Sequence, residues 1–555
     1  MTATDILLIA ALTVFVVAWW VRGLRWRPQV LAGSASAALA AGAVGVWDDR
    51  WQDGVGVAVS VVFLLALAVA TFWKWKTPRW RTPFVSGTLL TLLAALAVAA
   101  IYLFPVGRLP APSGQHAVGV RSFELSDASR LGVFDAGDDE PRRLLVRVWY
   151  PAEPEAGAQP RPYFSDAEAA YTARSMGGLL GFGPMLTYLK HASTNSYEDA
   201  PLVSGAEKLP TIFYSHGYTS FLSQNTVLME ELASHGYVVY SVQHTYDSSA
   251  TVFPDGSVAP IDPALVDEMR NSPQAQGKTP KSMVQGFTGR TFDDRLEGQM
   301  QFARESLDKD ERIVAHSAPT WAADQLFVHD RLESGKVPDS VAEIVAACDL
   351  ERTGEMGMSF GGATAAVVCL LDKRCVAGVN LDGGDFPFLP FNADLPVPFL
   401  MVHSDLGNLY RMFGTTPEDG QRSFNDFSYE RFEHAGTRDG LYRAQIKDAA
   451  HLGLSDFSLF MRRPLRDGLL GSTPAEVLIG AQNDLVRGFF DRYLRGDASA
   501  FPGAAYAKYA DWVVPYDNLG LREWWLAKPE EERAAIENRI EDLKGEMDWQ
   551  ELQRE

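Results

Sequence analysis

Gly357-Met358-Ser359-Phe360-Gly361-Gly362 carries the clearest chemistry in the chain. G-x-S-x-G forms a tight turn between a strand and a helix. Its glycines remove Cβ atoms that would clash, and the serine hydroxyl is lifted above the sheet as a nucleophile. Ala363-Thr364-Ala365-Ala366-Val367-Val368 follows as a helix start. The alternative is an ordinary glycine-rich turn. A serine acting on an ester needs a base and an orienting acid, in chain order Ser, Asp or Glu, His. Two aspartates meet the position: Asp382 follows the strand-like Val376 to Leu381, and Asp405 follows Pro398 to Val402. Among ten histidines only His451 lies just after the last strand of the pattern, where a loop can return imidazole to the serine. The oxyanion formed in acyl transfer needs pre-aimed backbone N–H groups. Phe360, next to the nucleophile, supplies one. Tyr218, in the loop after the strand ending Tyr214-Ser215-His216-Gly217, supplies the other, with His216 shaping the loop rather than acting as a base.

These residues need a scaffold that brings strand ends together. Leu144 to Tyr150, Thr211 to Ser215, Tyr237 to Val242, Val376 to Leu381, Pro398 to Val402 and Tyr442 to Ile446 are short, β-branched or aromatic, and bounded by Gly, Pro or Asp. Helical stretches such as Gln224 to Ser234 and Ala363 to Leu371 fall between them. The alternation predicts a mostly parallel α/β sheet with helices on both faces and its site at the C-terminal strand ends. About 260 to 345 breaks the alternation, as a cap over the site or a plain surface excursion. The charged stretch from Pro529 to Glu555 reads as a solvated terminal helix.

The front of the chain is different. Residues 1–104 hold eight of the 14 tryptophans with eight basic and four acidic side chains, which leaves 42 basic and 66 acidic residues in 105–555. A part at −24 is repelled by phosphate backbones, so nucleic acid is not expected as a partner. With 47% hydrophobic and 22% charged residues, widespread disorder is excluded. Ile6 to Trp20, Val30 to Trp47, Val55 to Trp73 and Val85 to Phe104 are uncharged runs near the length that crosses a bilayer. Four transmembrane helices over 1–104 are therefore expected, followed by one catalytic domain over 105–555. The spans contain no ionisable residue, which favours an anchor over a transporter. The small residues between Ala32 and Gly45 suggest that the second span packs centrally.

Basic residues decide the expected orientation. Arg22, Arg25 and Arg27 lie in the first connection and Lys74, Lys76, Arg79 and Arg81 in the third, against a lone Arg50 in the second. The positive-inside bias puts the first and third connections in the cytoplasm, and both termini and everything after Phe104 outside. Trp19, Trp20, Trp26, Trp73, Trp75 and Trp80 then form the inner aromatic belt, with Trp47 and Trp51 on the outer one. Cys369 and Cys375 read as buried thiols in preference to a disulfide. No metal or cofactor is called for, since no H-E-x-x-H, C-x-x-C or calcium-type loop occurs.

Residues from about Leu144 to Asp456 resemble the platelet-activating factor acetylhydrolase family of the α/β-hydrolase superfamily. The matching pieces are Val146-Arg147-Val148-Trp149-Tyr150-Pro151, Ser215-His216-Gly217, Gln243-His244 through Ala250-Thr251, Gly357 through Gly362, Asn380-Leu381-Asp382-Gly383, and His451 through Ser455-Asp456-Phe457. The resemblance implies calcium-independent hydrolysis of short or oxidised acyl esters, phospholipid sn-2 esters included. It selects Asp382 over Asp405, giving Ser359, Asp382 and His451 as the triad, with Tyr218 and Phe360 as oxyanion donors. Thr353-Gly354-Glu355-Met356 departs from the usual apolar strand, and a carboxylate there must be paired or neutral. Other readings are a polyester hydrolase or peptidase on the same fold, or a non-catalytic membrane receptor.

Overall fold

The structure, a computed structural model, describes all residues except 22, 73–80, 133–139, 273–275, 277, 389, 413–421, 498–499 and 547–555. It divides into two compact units.

The first unit comprises Met1–Leu109 with two later segments, Pro162–Ser193 and Leu459–Arg466, so it takes in more than the 1–104 read from apolar runs. Its four long helices are α1 (Ala3–Trp20), α2 (Arg27–Trp47), α3 (Asp53–Phe72) and α4 (Arg81–Leu103). All four are long and apolar enough to cross a membrane. Leu8, Phe15, Leu31, Phe63 and Leu90 form their shared core. α1 and α3 each pack against the other three helices, and α2 packs against α1 and α3. The two most extensive helix pairings in the bundle, α1 with α2 and α2 with α3, both involve α2. Its small residues admit α3 closely, for a Cβ on Gly42 would lie 2.9 Å from Val57.

The helices also begin before their apolar runs, and so α1 includes Asp5. Arg50 donates to Asp5 at 2.9 Å and to the Phe104 carbonyl at 3.0 Å, and the Met1 ammonium donates to the Val106 carbonyl. These bonds gather the N-terminus, the α2–α3 connection and the end of α4 at one end of the bundle. There Trp51 donates to the Met185 carbonyl, and the Arg50 guanidinium lies over Tyr188. Lys74, Lys76, Arg79, Trp73, Trp75, Trp80 and Arg22 lie outside the described residues, as do the side-chain surroundings of Arg81.

The second unit is built on ten strands: β1 (Ala117–Leu131), β2 (Pro141–Ala152), β3 (Ser196–Glu198), β4 (Leu209–Ser215), β5 (Val238–Gln243), β6 (Cys348–Met358), β7 (Cys375–Leu381), β8 (Phe399–His403), β9 (Leu441–Ile446) and β10 (Val513–Pro515). Their order in the sheet is β10-β9-β8-β7-β6-β4-β5-β2-β1-β3. The run from β5 to β9 is parallel, while β2 and β10 pair antiparallel at its borders. This is the mostly parallel α/β sheet of an α/β-hydrolase. The parallel strands are apolar on both sides because both faces are covered. One face packs Ile212, Val239, Met356 and Leu400 against Leu228, Leu232, Leu485 and Phe489; the other packs Phe213, Tyr240 and Val146 against Val328, Leu332 and Ile344.

The stretch 260–345 divides. Pro263–Asn271, Lys281–Thr288 and Phe292–Asp308 are helices outside the alternation, whereas Ala318–Glu333 and Asp339–Ala346 supply Val328, Leu332 and Ile344 to the sheet. Residues Glu530–Glu546 form a helix, but not a fully solvated one: Ile540 and Leu543 are buried with Leu296 and Met300. Cys369 and Cys375 are disulfide-bonded, which corrects the expectation of two thiols. Proximity came from the fold, since Cys369 lies in the last turn of a helix that ends at Leu371 and leads straight into β7.

Candidate active site

Ser359 stands between β6 and the helix α5 (Phe360–Leu371), with φ 58° and ψ −128°. A serine in that left-handed region is strained by about 1–3 kcal/mol, and the surroundings enforce it. Two glycines show how tightly. A Cβ on Gly357 would come 2.2 Å from the Gly361 backbone, and one on Gly361 would come 2.1 Å from the Ser215 carbonyl. The elbow therefore sits directly on the end of β4.

His451 follows β9, and its Nε2 lies 2.9 Å from Ser359 Oγ. Its Nδ1 lies 2.7 Å from Asp382 Oδ2, while Asp382 Oδ1 accepts the Ser404 N–H at 2.7 Å. Burial pushes the Asp382 carboxyl up, but the His451 hydrogen bond and charge and the Ser404 contact hold it below the usual carboxylate range. Asp382 is thus an ionised, buried acceptor with one oxygen committed to each partner. Asp405 is used otherwise, its oxygens accepting the N–H groups of Gly407 and Asp448 at 2.8 and 2.7 Å. His403, the other imidazole beside Asp382, is held neutral by burial, which pushes it down to about 4.

The two expected donor peptides flank the serine. Phe360 opens α5, where a first-turn N–H has no acceptor within its own helix. Gly217 passes so close that a Cβ on it would lie 3.3 Å from the Ser359 Cβ. The Gly217 N–H is held by Gln224 Oε1 at 2.8 Å, and its carbonyl by the Ser220 N–H at 2.9 Å. The rings of Tyr218, Phe360 and Phe388 form an apolar wall, with centroids 5.0 and 4.8 Å apart.

Several groups around this centre were not legible from sequence. The turn bearing Asp382 is underpinned by Asn380, which accepts the Gly383 N–H at 2.6 Å and is bonded to the Tyr429 hydroxyl; Tyr429 in turn donates to Asp385. Burial raises the Asp385 carboxyl to about 7. Beneath the Gly217 loop, Ser215, His244 and Asp324 form a second buried Ser–His–Asp chain. Its signals were Ser215-His216-Gly217 and Gln243-His244 among the family-like pieces; Asp324 lay within 260–345, outside the strand–helix alternation. Glu355 in β6 is buried, and burial raises its carboxyl well above the ordinary range, so it is the neutral acid expected. Among the described residues no cluster of three or more His, Cys, Asp or Glu could hold a metal.

Comparison with known proteins reaches the same family as the motifs. The model of the family "Platelet-activating factor acetylhydrolase, isoform II" matches residues 103–259, which include Tyr218 and His244 but end before Ser359. The platelet-activating factor acetylhydrolase of Cavia porcellus is 25% identical over 211 residues, 37% of this chain and 42% of that protein. That of Bos taurus is 25% identical over 310 residues, 54% of this chain and 60% of that protein. A probable 1-alkyl-2-acetylglycerophosphocholine esterase of Arthroderma benhamiae is 24% identical over 318 residues, 54% and 65% of the two chains. The chain thus spans less than two thirds of the length of each of these relatives. The α/β-hydrolase part of this chain is similar, at modest identity, to the platelet-activating factor acetylhydrolase family.

Proposed function

We propose that this chain is a membrane-anchored serine ester hydrolase that cleaves short-chain or oxidised acyl esters, phospholipid sn-2 esters among them. The observation that carries the reading is the hydrogen-bonded chain from Ser359 Oγ through His451 to Asp382, at 2.9 and 2.7 Å, on a strained elbow. In this mechanism Ser359 Oγ attacks the ester carbonyl while His451 Nε2 takes its proton. The oxyanion is held by the Tyr218 and Phe360 N–H groups. Collapse breaks the acyl–oxygen bond, and the imidazolium returns the proton to the departing alcohol. Water, deprotonated by the same imidazole, then releases the acid from the acyl-enzyme. Asp382 fixes the imidazole tautomer and offsets its transient charge. The apolar wall of Tyr218, Phe360 and Phe388 suits an acyl chain.

In the proposed setting the four helices span the bilayer with the catalytic domain outside. The excess of basic residues in the first and third connections supports this. So does the Cys369–Cys375 disulfide, because such bonds persist in oxidising compartments.

The test is labelling of the full-length protein by a fluorophosphonate, with peptide mapping and turnover of a short-chain p-nitrophenyl ester. Label on Ser359, and its loss together with turnover in Ser359→Ala, is expected. A Ser359→Ala variant retaining more than a tenth of wild-type turnover refutes the mechanism.

A further inference from the structure

The second Ser–His–Asp chain is geometrically complete and wholly buried. Ser215 Oγ lies 2.8 Å from His244 Nε2, and His244 Nδ1 lies 2.9 Å from Asp324 Oδ2. Ser215, His244 and Asp324 are each at most 1% exposed, so no substrate reaches this serine. Asp324 also accepts from Arg142 at 2.6 and 2.5 Å and from Arg130 at 2.8 Å. Burial works against the Asp324 charge, but the two guanidiniums hold the carboxyl far below its usual range. Burial likewise pushes the His244 imidazole down. An ionised Asp324 beside a neutral His244 fixes the tautomer: Nδ1–H donates to Asp324, and Nε2 accepts the Ser215 hydroxyl. The indole of Trp321 closes the arrangement, stacked on His244 at 3.9 Å and 11°.

This rigid group touches the loop beside Ser359 through His216. The backbone N–H of His244 donates to His216 Nε2 at 3.2 Å. With Nε2 an acceptor, the neutral ring of His216 carries its proton on Nδ1, which lies 2.7 Å from the Gly217 carbonyl and donates to it alongside the Ser220 N–H at 2.9 Å. That carbonyl belongs to the same peptide unit as the Tyr218 N–H. In a planar trans peptide C=O and N–H point in opposite directions. Fixing the Gly217 oxygen on the His216 side therefore aims the Tyr218 N–H to the other side. Trp321 also meets His216 edge-to-face at 5.0 Å, and it packs tilted against Tyr218 and perpendicular to Phe360.

We propose that His216, held by the Asp324–His244–Ser215 relay and Trp321, is a positioning residue that sets the plane of the Gly217–Tyr218 peptide and so pre-aims the Tyr218 oxyanion donor. The relay performs no proton transfer. It spends a buried ion group on holding one peptide plane, and oxyanion stabilisation depends on donors aimed before the charge develops. Asp324 and Trp321 reach the site from the helix Ala318–Glu333, which gives that part of 260–345 a role in the site beyond covering the sheet.

This inference rests on the hydrolase reading above, and the experiment separates the two. In full-length protein, His216→Leu, His216→Asn, His244→Gln and Ser215→Ala are compared with wild type for kcat, KM and inhibition by an alkyl trifluoromethyl ketone. The ketone forms a hemiketal with the active serine and places its oxygen in the oxyanion hole. His216→Leu is expected to lower kcat about 10²-fold with KM within threefold, and to weaken the ketone by the same factor. His216→Asn, whose amide can still donate to the Gly217 carbonyl, should recover most of the loss. His244→Gln and Ser215→Ala should fall between, and they carry the comparison if His216→Leu does not fold. Equal damage from Leu and Asn, or a fall in kcat with unchanged ketone affinity, overturns the proposal. If wild type is not labelled by fluorophosphonate at Ser359, the hydrolase reading fails and this one with it. If wild type is labelled and every variant matches it, only the positioning role fails.

Discussion

Replacing Asp382 by Asn tests the site with a single atom. Asp382 Oδ1 accepts the Ser404 N–H at 2.7 Å, and that donor is fixed backbone. In the variant the amide oxygen must stay there, because an NH2 group would oppose an N–H. The amide nitrogen then faces His451 Nδ1, where the carboxylate Oδ2 accepts at 2.7 Å in the wild type. A donor at that point forces Nδ1 to become the acceptor and moves the ring proton to Nε2, the atom 2.9 Å from Ser359 Oγ. The serine loses its base while every heavy atom keeps its place. Where this tautomer inversion has been made in a serine protease the loss is about 10⁴ in kcat, equivalent to about 5.4 kcal/mol in the barrier. Asp405→Asn is the control. Its oxygens hold the Gly407 and Asp448 N–H groups, so the change should cost about 1–2 kcal/mol of stability and leave kcat within about threefold. The assay is steady-state turnover of a short-chain p-nitrophenyl ester, with thermal melts of each protein. An Asp382→Asn enzyme keeping more than a tenth of wild-type kcat, or Asp405→Asn as the more damaging change, refutes the reasoning.

Asp385→Asn should remove a pH-dependent destabilisation. An unfolded aspartate releases its proton near pH 4 and this one near 7, so across that window the folded chain holds the extra proton and its stability falls as pH rises. Up to about 4 kcal/mol of relative stability should shift toward the variant between pH 4 and pH 8, read by denaturant melts, and a pH-independent difference counts against it. Gly361→Ala should destabilise by about 3 kcal/mol or more, since the new Cβ meets the Ser215 carbonyl at 2.1 Å; an unchanged melting temperature contradicts that packing. Protease added to intact cells or spheroplasts should digest the chain after Phe104, and protection until lysis would reverse the proposed orientation.

What the sequence determined by itself is local. Strand and helix periods, the length of apolar runs and the chemistry of one tight turn are each written in a few consecutive residues. Leu144 to Tyr150, Thr211 to Ser215 and Val376 to Leu381 lie in strands β2, β4 and β7, and Ser359 sits at φ 58° on the turn its glycines foretold. Tertiary structure decided everything that depends on which segments meet. Asp382 and Asp405 each follow a parallel strand and are equivalent in pattern. Only the pairing of β7 with β8, which leaves the Ser404 N–H beside Asp382, and the return of the loop after β9 assign one to His451 and the other to the Asp448 turn. The Cys369–Cys375 bond and the docking of Ile540 and Leu543 arise in the same way. Asp324 is the extreme case. A carboxylate in a helical stretch outside the alternation looks solvated until Arg130, Arg142 and His244, which lie 194, 182 and 80 residues away, close around it, because burying a charge is favourable only when partners converge in space.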